Sequence, residues 1–181
     1  MKFFEKKLES TTVYDGKILK IEVDKVELPD GTTSKRECVR HPGGAAVLCV
    51  VDGKVLLVKQ FRYVYGKEIY EIPAGKLEKG EDPLNAAARE LKEETGISAD
   101  IVPYIKLYPT PGYTDEIIHI YLAKNCKTGG NQSLDDGEFV SVCFKPLNEV
   151  LSLIESGEIC DGKTVAAIYK YASENNISAK K

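Results

Sequence analysis

Apolar and polar residues alternate with a two-residue period through Ile18-Leu19-Lys20-Ile21-Glu22-Val23, the pattern of a half-buried strand. The segment lies between two turn signals, Asp15-Gly16 and Pro29-Asp30-Gly31, whose residue types favour tight chain reversal. Residues 12–41 therefore read as a small antiparallel unit, and His41-Pro42-Gly43-Gly44 breaks the pattern and marks a boundary. A hairpin follows: Ala45–Val51, the two-residue turn Asp52-Gly53, then Lys54–Phe61. Ile69–Ile72 is a further short strand, and Glu116–Ala123 and Glu138–Phe144 read as two more. Apolar residues at helical spacing predict helices over Leu147–Ser156 and Thr164–Ala172. The tail from Ser173 to Lys181 is polar and is expected to fray. Strands and helices mixed in this way around one sheet give an α+β sandwich.

The clearest helix lies between Asp82 and Gly96. Asp82 offers an N-cap oxygen, Pro83 loses nothing by lacking an N–H at the first helical position, and Gly96 is a natural stop. Leu84, Ala87, Ala88, Leu91 and Thr95 recur at three- and four-residue steps, so their face should pack inward against the sheet. Glu90, Glu93 and Glu94 fall off that face, close together. Each like-charged pair one turn apart costs a few tenths of a kcal/mol on an isolated helix, and a divalent cation among the oxygens reverses that balance. Oxygen-only ligands favour Mg2+, with Mn2+ as the alternative. Arg89 reaches Glu93 four residues on and can hold its carboxylate in place. An acidic cluster alone would be a solvated helix face. What sets this one apart is the full spacing G-x5-E-x7-R-E-L-x-E-E-x-G-I, which runs from Gly75 to Ile97.

Composition narrows the partners. A chain of 181 residues holds one full domain with a modest extra element. A net charge of -3 gives no reason to expect nucleic acid or an anionic membrane surface. The longest apolar run, Ala45–Val51, is far too short to span a bilayer. The opening MKFFEKKLES breaks into charge before any apolar stretch develops, so no signal peptide is expected. Five cysteines at scattered positions form neither a disulfide framework nor a zinc pattern. Cys49 and Cys143 lie in apolar strand-like runs and read as small core residues, and a reducing cytoplasm fits this usage. With only His41 and His119, a Ser/His or Cys/His nucleophile has little material, and His119 reads as a packed or edge residue of its strand.

The spacing from Gly75 to Ile97 resembles the signature of the Nudix hydrolases, which cleave a diphosphate joined to another group. Further segments resemble one Nudix subfamily, the ADP-ribose pyrophosphatases. These are Gln60-Phe61-Arg62, Glu71-Ile72-Pro73-Ala74-Gly75, the run Pro109-Thr110-Pro111-Gly112-Tyr113-Thr114-Asp115-Glu116, Asp135-Asp136-Gly137-Glu138-Phe139-Val140 and Asp161-Gly162-Lys163-Thr164. The resemblance implies a Nudix-type α/β/α sandwich with a mixed sheet over residues 42–181, plus a small N-terminal antiparallel β unit over 1–41. In the family that segment packs across a subunit boundary, so a homodimer is expected.

Carried over by residue, the resemblance implies that the Ala74 backbone carbonyl, Glu90 and Glu94 bind metal, with Glu93 beside them. Glu138 would be a general base or a further ligand, with Asp135 and Asp136 as alternatives for the base, and Glu93 and Arg89 would complete the catalytic set. Arg62 would meet a phosphate or the distal ribose, and Thr110 would line the substrate pocket. Arg36 and Glu37 fall where relatives hold the adenine. Some members place a tryptophan there; this chain has none, and an arginine guanidinium can stack instead. The implied activity is Mg2+-dependent hydrolysis of ADP-ribose to AMP and ribose 5-phosphate in the cytoplasm. A small nucleoside diphosphate is then the substrate, without nucleic-acid or membrane partners. The alternatives are another nucleotide sugar or a dinucleotide as substrate, or a non-catalytic ADP-ribose sensor. The intact Glu90, Glu93 and Glu94 set speaks against the sensor.

Overall fold

The computed structural model describes residues 3–178; residues 179–181 of the polar tail lie outside the described residues. The chain forms two compact units, one of residues up to Gly43 together with Tyr108–Ile117, the other of Gly44–Leu107 and the chain from Ile118 onward.

The first unit is an antiparallel sheet of β1 (Lys6–Asp15), β2 (Lys20–Glu27) and β3 (Thr33–Arg40), in that order. Both turn signals fall between strands, and Gly31 adopts the left-handed φ of 84° that its reversal requires. β1 starts earlier than the expected unit. All ten of its residues are exposed, so no apolar alternation betrays it. The segment from Tyr108 to Ile117 joins β3 through Val39, whose N–H donates to the Tyr113 carbonyl at 2.7 Å and whose carbonyl accepts from Asp115 N–H at 3.2 Å.

Strands β4 to β11 build the second unit: β4 (Gly44–Leu48), β5 (Val50–Val51), β6 (Lys54–Arg62), β7 (Lys67–Glu71), β8 (Ala74–Lys76), β9 (Ser98–Leu107), β10 (Ile118–Lys127) and β11 (Val140–Pro146). One sheet has the order β8-β4-β10-β9, with β4 and β10 parallel and the other neighbours antiparallel. In the other, β6 pairs antiparallel with β11, β5 and β7. Helices α1 (Pro83–Thr95), α2 (Leu147–Glu155) and α3 (Gly162–Glu174) cover the sheets. Side chains of β4 alternate between two cores: Ala45 and Val47 pack with Ala86, Ala87 and Leu91 of α1, while Ala46 and Leu48 pack with α2 and α3. This is the expected α/β/α sandwich with a mixed sheet.

Three local expectations change. The run Ala45–Val51 is two strands in two sheets, because the chain switches sheets at Cys49 and only β5 forms the hairpin across Asp52-Gly53. All five residues of β4 are buried, and a strand covered on both faces is a continuous apolar run that hides such a break. β9 has no counterpart among the strands expected from the sequence; it lies at the sheet edge, where Pro103 is tolerated because one side needs no ladder donor. On α1 the buried positions are Ala86, Ala87, Leu91, Glu94 and Thr95, whereas Leu84 is 38% exposed. The helix is thus rotated from its apolar pattern, and Glu94 belongs to the packed side.

All five cysteines are free. Cys49 is fully buried, with its Sγ 3.1 Å from Cys126 Sγ, and Cys143 packs at the margin of the core. Among the described residues no helix is long and apolar enough to cross a membrane.

Candidate active site

Local caps fix α1. The Asp82 side chain accepts hydrogen bonds from Leu84 N–H at 2.9 Å and Asn85 N–H at 3.3 Å, and Gly96 closes the helix with a φ of 71°. Glu90 and Glu94, one turn apart, are thereby held beside β8, the short strand that pairs with β4 through Ala46↔Ala74 and Ala45↔Gly75. Ala74 N–H donates to Glu94 Oε2 at 3.0 Å. The Glu90 carboxylate lies over Gly75 so closely that a Cβ there would sit 1.9 Å from its Oε1. The first glycine of the signature is therefore the space that Glu90 occupies.

Arg89 gathers the remaining acids. Its Nε and Nη2 donate to the two oxygens of Glu81 at 2.9 and 3.0 Å, while Nη1 donates to Glu90 at 2.8 Å and Glu93 at 3.0 Å. The expected Arg89–Glu93 tie is present. Sequence reasoning gives Glu81 no role, although it holds a fixed place in the spacing; in the structure it anchors the arginine fork.

The electrostatics are unbalanced. Glu94 is 6% exposed, and burial, joined by the charges of Glu90, Glu138 and Glu71, pushes its carboxyl up to about 8 despite the Ala74 N–H. Burial also raises the Glu90 carboxyl, with Glu93 and Glu138 adding to it and Arg89 opposing. Glu138, exposed on the loop before β11, therefore acts electrostatically on both helix carboxylates. Its N–H donates to the Asp135 carbonyl at 3.0 Å, which forms the turn through Asp136 and Gly137.

These donors suit a hard divalent cation. Among the described residues no three acidic, imidazole or thiol groups form a finished cage. Mg2+ ordinarily uses one or two carboxylates, keeps several waters and shares its coordination with substrate phosphate. Buried Glu94 beside half-buried Glu90, with Arg89 shared among three acids, meets that requirement.

Behind this pair lies a second charged group. Glu71, at the end of β7, is 3% exposed and binds Arg62 through both oxygens, at 2.6 Å from Nε and 2.8 Å from Nη2. Lys163 of α3 binds the same carboxylate. Burial pushes the Glu71 carboxyl up, but the two cations outweigh it and hold it below its ordinary value. The segments Glu71–Gly75 and Asp161–Thr164 stand out in the sequence, yet sequence reasoning assigns no role to Glu71 or Lys163.

The other residues expected at the substrate belong to the first unit. Arg36 is tied to Glu5 by two hydrogen bonds, at 2.6 and 2.9 Å, and to Ser34 Oγ at 3.1 Å. Glu37 is an exposed residue of β3 opposite Val23. Thr110 is exposed, and its carbonyl accepts from Tyr113 and Thr114 N–H at 3.3 and 3.2 Å, starting the turn that pairs with β3.

The NUDIX domain profile matches residues 39–168. The chain belongs to the Nudix family. The nucleoside diphosphate sugar hydrolase N-terminal domain matches residues 5–39, the three strands of the first unit. The chain is 45% identical over 180 residues to the ADP-ribose pyrophosphatase of Bacillus subtilis (strain 168), covering 98% of this chain and 97% of that protein. It is 46% identical over 169 residues to the methanol dehydrogenase activator of Bacillus methanolicus, covering 92% and 91%. A third relative, the ADP-ribose pyrophosphatase of Mycobacterium tuberculosis, is 33% identical over 165 residues, with 89% and 80% covered. The crystal structure of an ADP compounds hydrolase shares the Nudix fold with a TM-score of 0.81 at 21% identity, over 94% of this chain and 95% of that one.

Proposed function

We propose that this Nudix chain is a Mg2+-dependent ADP-ribose pyrophosphatase that releases AMP and ribose 5-phosphate, acting as a cytoplasmic homodimer. One observation carries the reading. Glu94 is a buried carboxyl whose one hydrogen-bond partner among the described residues is a backbone N–H, with Glu90, Glu138 and Glu71 all adding negative charge around it. Such a group is costly unless a cation completes it. Glu90, Glu94 and the Ala74 carbonyl, with Glu93 beside them, would hold Mg2+. When bound, the ion acidifies water and neutralises charge gathering on the diphosphate.

The chain supplies the rest. Glu81 anchors Arg89, and Arg89 holds Glu90 and Glu93 in a fixed direction. Glu138, on the loop before β11, accepts the proton as water adds to one phosphorus and the bridging P–O bond breaks, the two halves leaving as AMP and ribose 5-phosphate; loops often serve such a role at a rigid site. Arg62 offers its charge to a phosphate or the distal ribose. Arg36, Glu37 and Thr110 supply contacts to adenine and sugar.

Specificity for ADP-ribose draws support from two relatives named as ADP-ribose pyrophosphatases. A relative of near-equal identity bears a different name, so the substrate is best fixed by direct competition. Initial rates with and without Mg2+ on ADP-ribose, ADP-glucose, GDP-mannose, NADH, FAD and diadenosine polyphosphates separate the possibilities. ADP-ribose should lead the sugars by at least about tenfold in kcat/KM, or ~1.4 kcal/mol. A higher kcat/KM for GDP-mannose or a dinucleotide would overturn the substrate, and no hydrolysis of any of them would mark a sensor. Light scattering at micromolar concentration tests the dimer; a monomer refutes it.

A further inference from the structure

Among the described residues Lys163 is the one buried cation, and the proposed reaction leaves it without a role. It is the second residue of α3 and only 9% exposed, yet its ammonium sits on Glu71 and lies 3.1 Å from Asp161 Oδ2. A solvated lysine avoids the desolvation that this one bears. Glu71 already has both oxygens engaged by Arg62, so simple neutralisation of that carboxylate does not require a second cation. With Asp161 included, two acids and two bases form a neutral, interlocked cluster.

The cluster ties α3 to the strand end that leads into the metal site. Asp161 caps α3 by accepting from Thr164 N–H at 3.1 Å and Thr164 Oγ1 at 2.6 Å, and Thr164 Oγ1 in turn accepts from Ile72 N–H at 2.8 Å. Glu71 and Ile72 are thus both held by the first turn of α3, three and two residues before Ala74. On the opposite side stands Arg62. A guanidinium has five donor hydrogens in one plane. Glu71 takes the Nε–Nη2 edge, and among the described residues no hydrogen bond is made by Nη1. The Arg62 side chain is 42% exposed, so a deeply buried anchor holds a side chain that itself reaches solvent. Its charge also interacts with Glu94, which places it within electrostatic range of the acidic pair.

We infer that Lys163 is a positioning residue: by sharing Glu71 with Arg62 it fixes the plane in which Arg62 presents its Nη1 edge to the anionic substrate. The inference rests on Arg62 being a substrate contact. A guanidinium aimed in advance loses less freedom on meeting a phosphate. Without Lys163, the Glu71 carboxylate and the arginine fork can turn together, and the donor edge is no longer aimed.

The test is a double-mutant cycle in the full-length enzyme at saturating Mg2+, reading kcat and KM for ADP-ribose alongside thermal unfolding. Arg62→Lys should raise KM about tenfold, or ~1.4 kcal/mol of binding. Lys163→Gln should raise KM by a similar factor with kcat within about twofold, and the double variant should be no worse than Arg62→Lys alone, because coupled residues do not add. Lys163→Arg should restore most of the binding. An unchanged KM in Lys163→Gln, or losses that multiply in the double variant, overturns the positioning role. If Arg62→Lys itself leaves KM unchanged, Arg62 is no substrate contact and the inference falls with that reading. Should Lys163→Gln fail to fold, Asp161→Asn frees Lys163 from its second partner while an amide oxygen can still cap α3. It should raise KM in wild type and not in Arg62→Lys, and the contrary result overturns the inference.

Discussion

Glu22 and Asp24 on β2, and Glu90 and Glu94 on α1, are two carboxylate pairs of nearly equal exposure. The Glu22 and Glu90 side chains are each 14% exposed, and Asp24 and Glu94 are 5% and 6% exposed. Their surroundings differ completely. Glu22 meets Lys20 at 2.7 Å and Arg40 at 2.9 Å, while Asp24 meets Lys7 at 3.0 Å and Ser10 Oγ at 2.5 Å. Both β2 carboxyls are accordingly held below their ordinary range, Glu22 chiefly by its bond to Lys20 and Asp24 chiefly by Ser10 and then Lys7. On α1, Arg89 is divided among Glu81, Glu90 and Glu93, and among the described residues the Glu94 carboxylate accepts only from Ala74 N–H. Depth also differs. Asp24 is covered by side chains of one thin sheet, whereas Glu94 has a folded core behind it and burial is the largest influence on its carboxyl. Exposure alone therefore does not separate the ion-paired acids of β2 from the pair proposed to hold metal. The local supply of positive charge does.

The sharpest way to break this contrast is Glu94→Gln. The amide oxygen can still accept from Ala74 N–H, and the amide cannot supply the carboxylate that a cation needs. Hydrolysis should fall about a thousandfold, or roughly 4 kcal/mol of transition-state stabilisation, while Tm in metal-free buffer stays equal to wild type or rises. Added Mg2+ should raise the wild-type Tm, since an ion that binds only the folded state stabilises it, and should do less for the variant. Near-normal turnover at saturating Mg2+ would remove Glu94 from the metal site. Glu138→Gln should separate from it by lowering kcat about a hundredfold, in the range of lost general-base catalysis, with the Mg2+ response of Tm retained. If it behaves as wild type, Asp135 or Asp136 becomes the candidate base.

A smaller effect is expected at Gly75. Its backbone is absent from the left-handed region, so alanine is tolerated conformationally, and the nearest obstacle is the Glu90 carboxylate, with Oε1 1.9 Å from the added Cβ. Gly75→Ala should therefore swing Glu90 aside and lower kcat/KM about tenfold, or ~1.4 kcal/mol. Combined with Glu90→Gln it should add nothing further. Multiplying losses would mean that the glycine serves some purpose other than making room for Glu90.

How much of this was legible in the chain follows from the range of each interaction. The ends of α1 could be read because Asp82 and Gly96 act on neighbouring residues, and the Arg89–Glu93 tie because four residues bring them together. The burial of Glu94 could not, because the apolar set Leu84, Ala87, Ala88, Leu91 and Thr95 points the helix in a slightly different direction from the one that packing against β4, β8 and β9 imposes. β1 escapes notice because its exposed residues carry no alternation, and the sheet switch at Cys49 because burial on both faces erases it. The Glu71–Lys163 pair spans 92 residues. Nothing local in Glu-Ile-Pro or Asp-Gly-Lys-Thr announces the other, although both segments stand out as motifs.

The mildest test sharpens the comparison from its structural side. Asp24→Asn keeps the shape and removes the charge that Lys7 and Arg40 meet, at 3.0 and 3.4 Å. A carboxyl whose folded-state pKa is depressed contributes stability that is present above its unfolded value, about 3.9, and is lost as pH falls through the folded value. The variant should thus lose a few degrees of Tm at neutral pH, and its deficit should shrink as wild type is acidified below about pH 4. Its response to Mg2+ should match wild type, because the β2 pair is already completed by lysine and arginine. Thermal unfolding across a pH series, with and without Mg2+, reads both. A deficit that stays constant into acid would show that the substituted amide is penalised for its packing, and that the cations around Asp24 do not account for its depressed carboxyl.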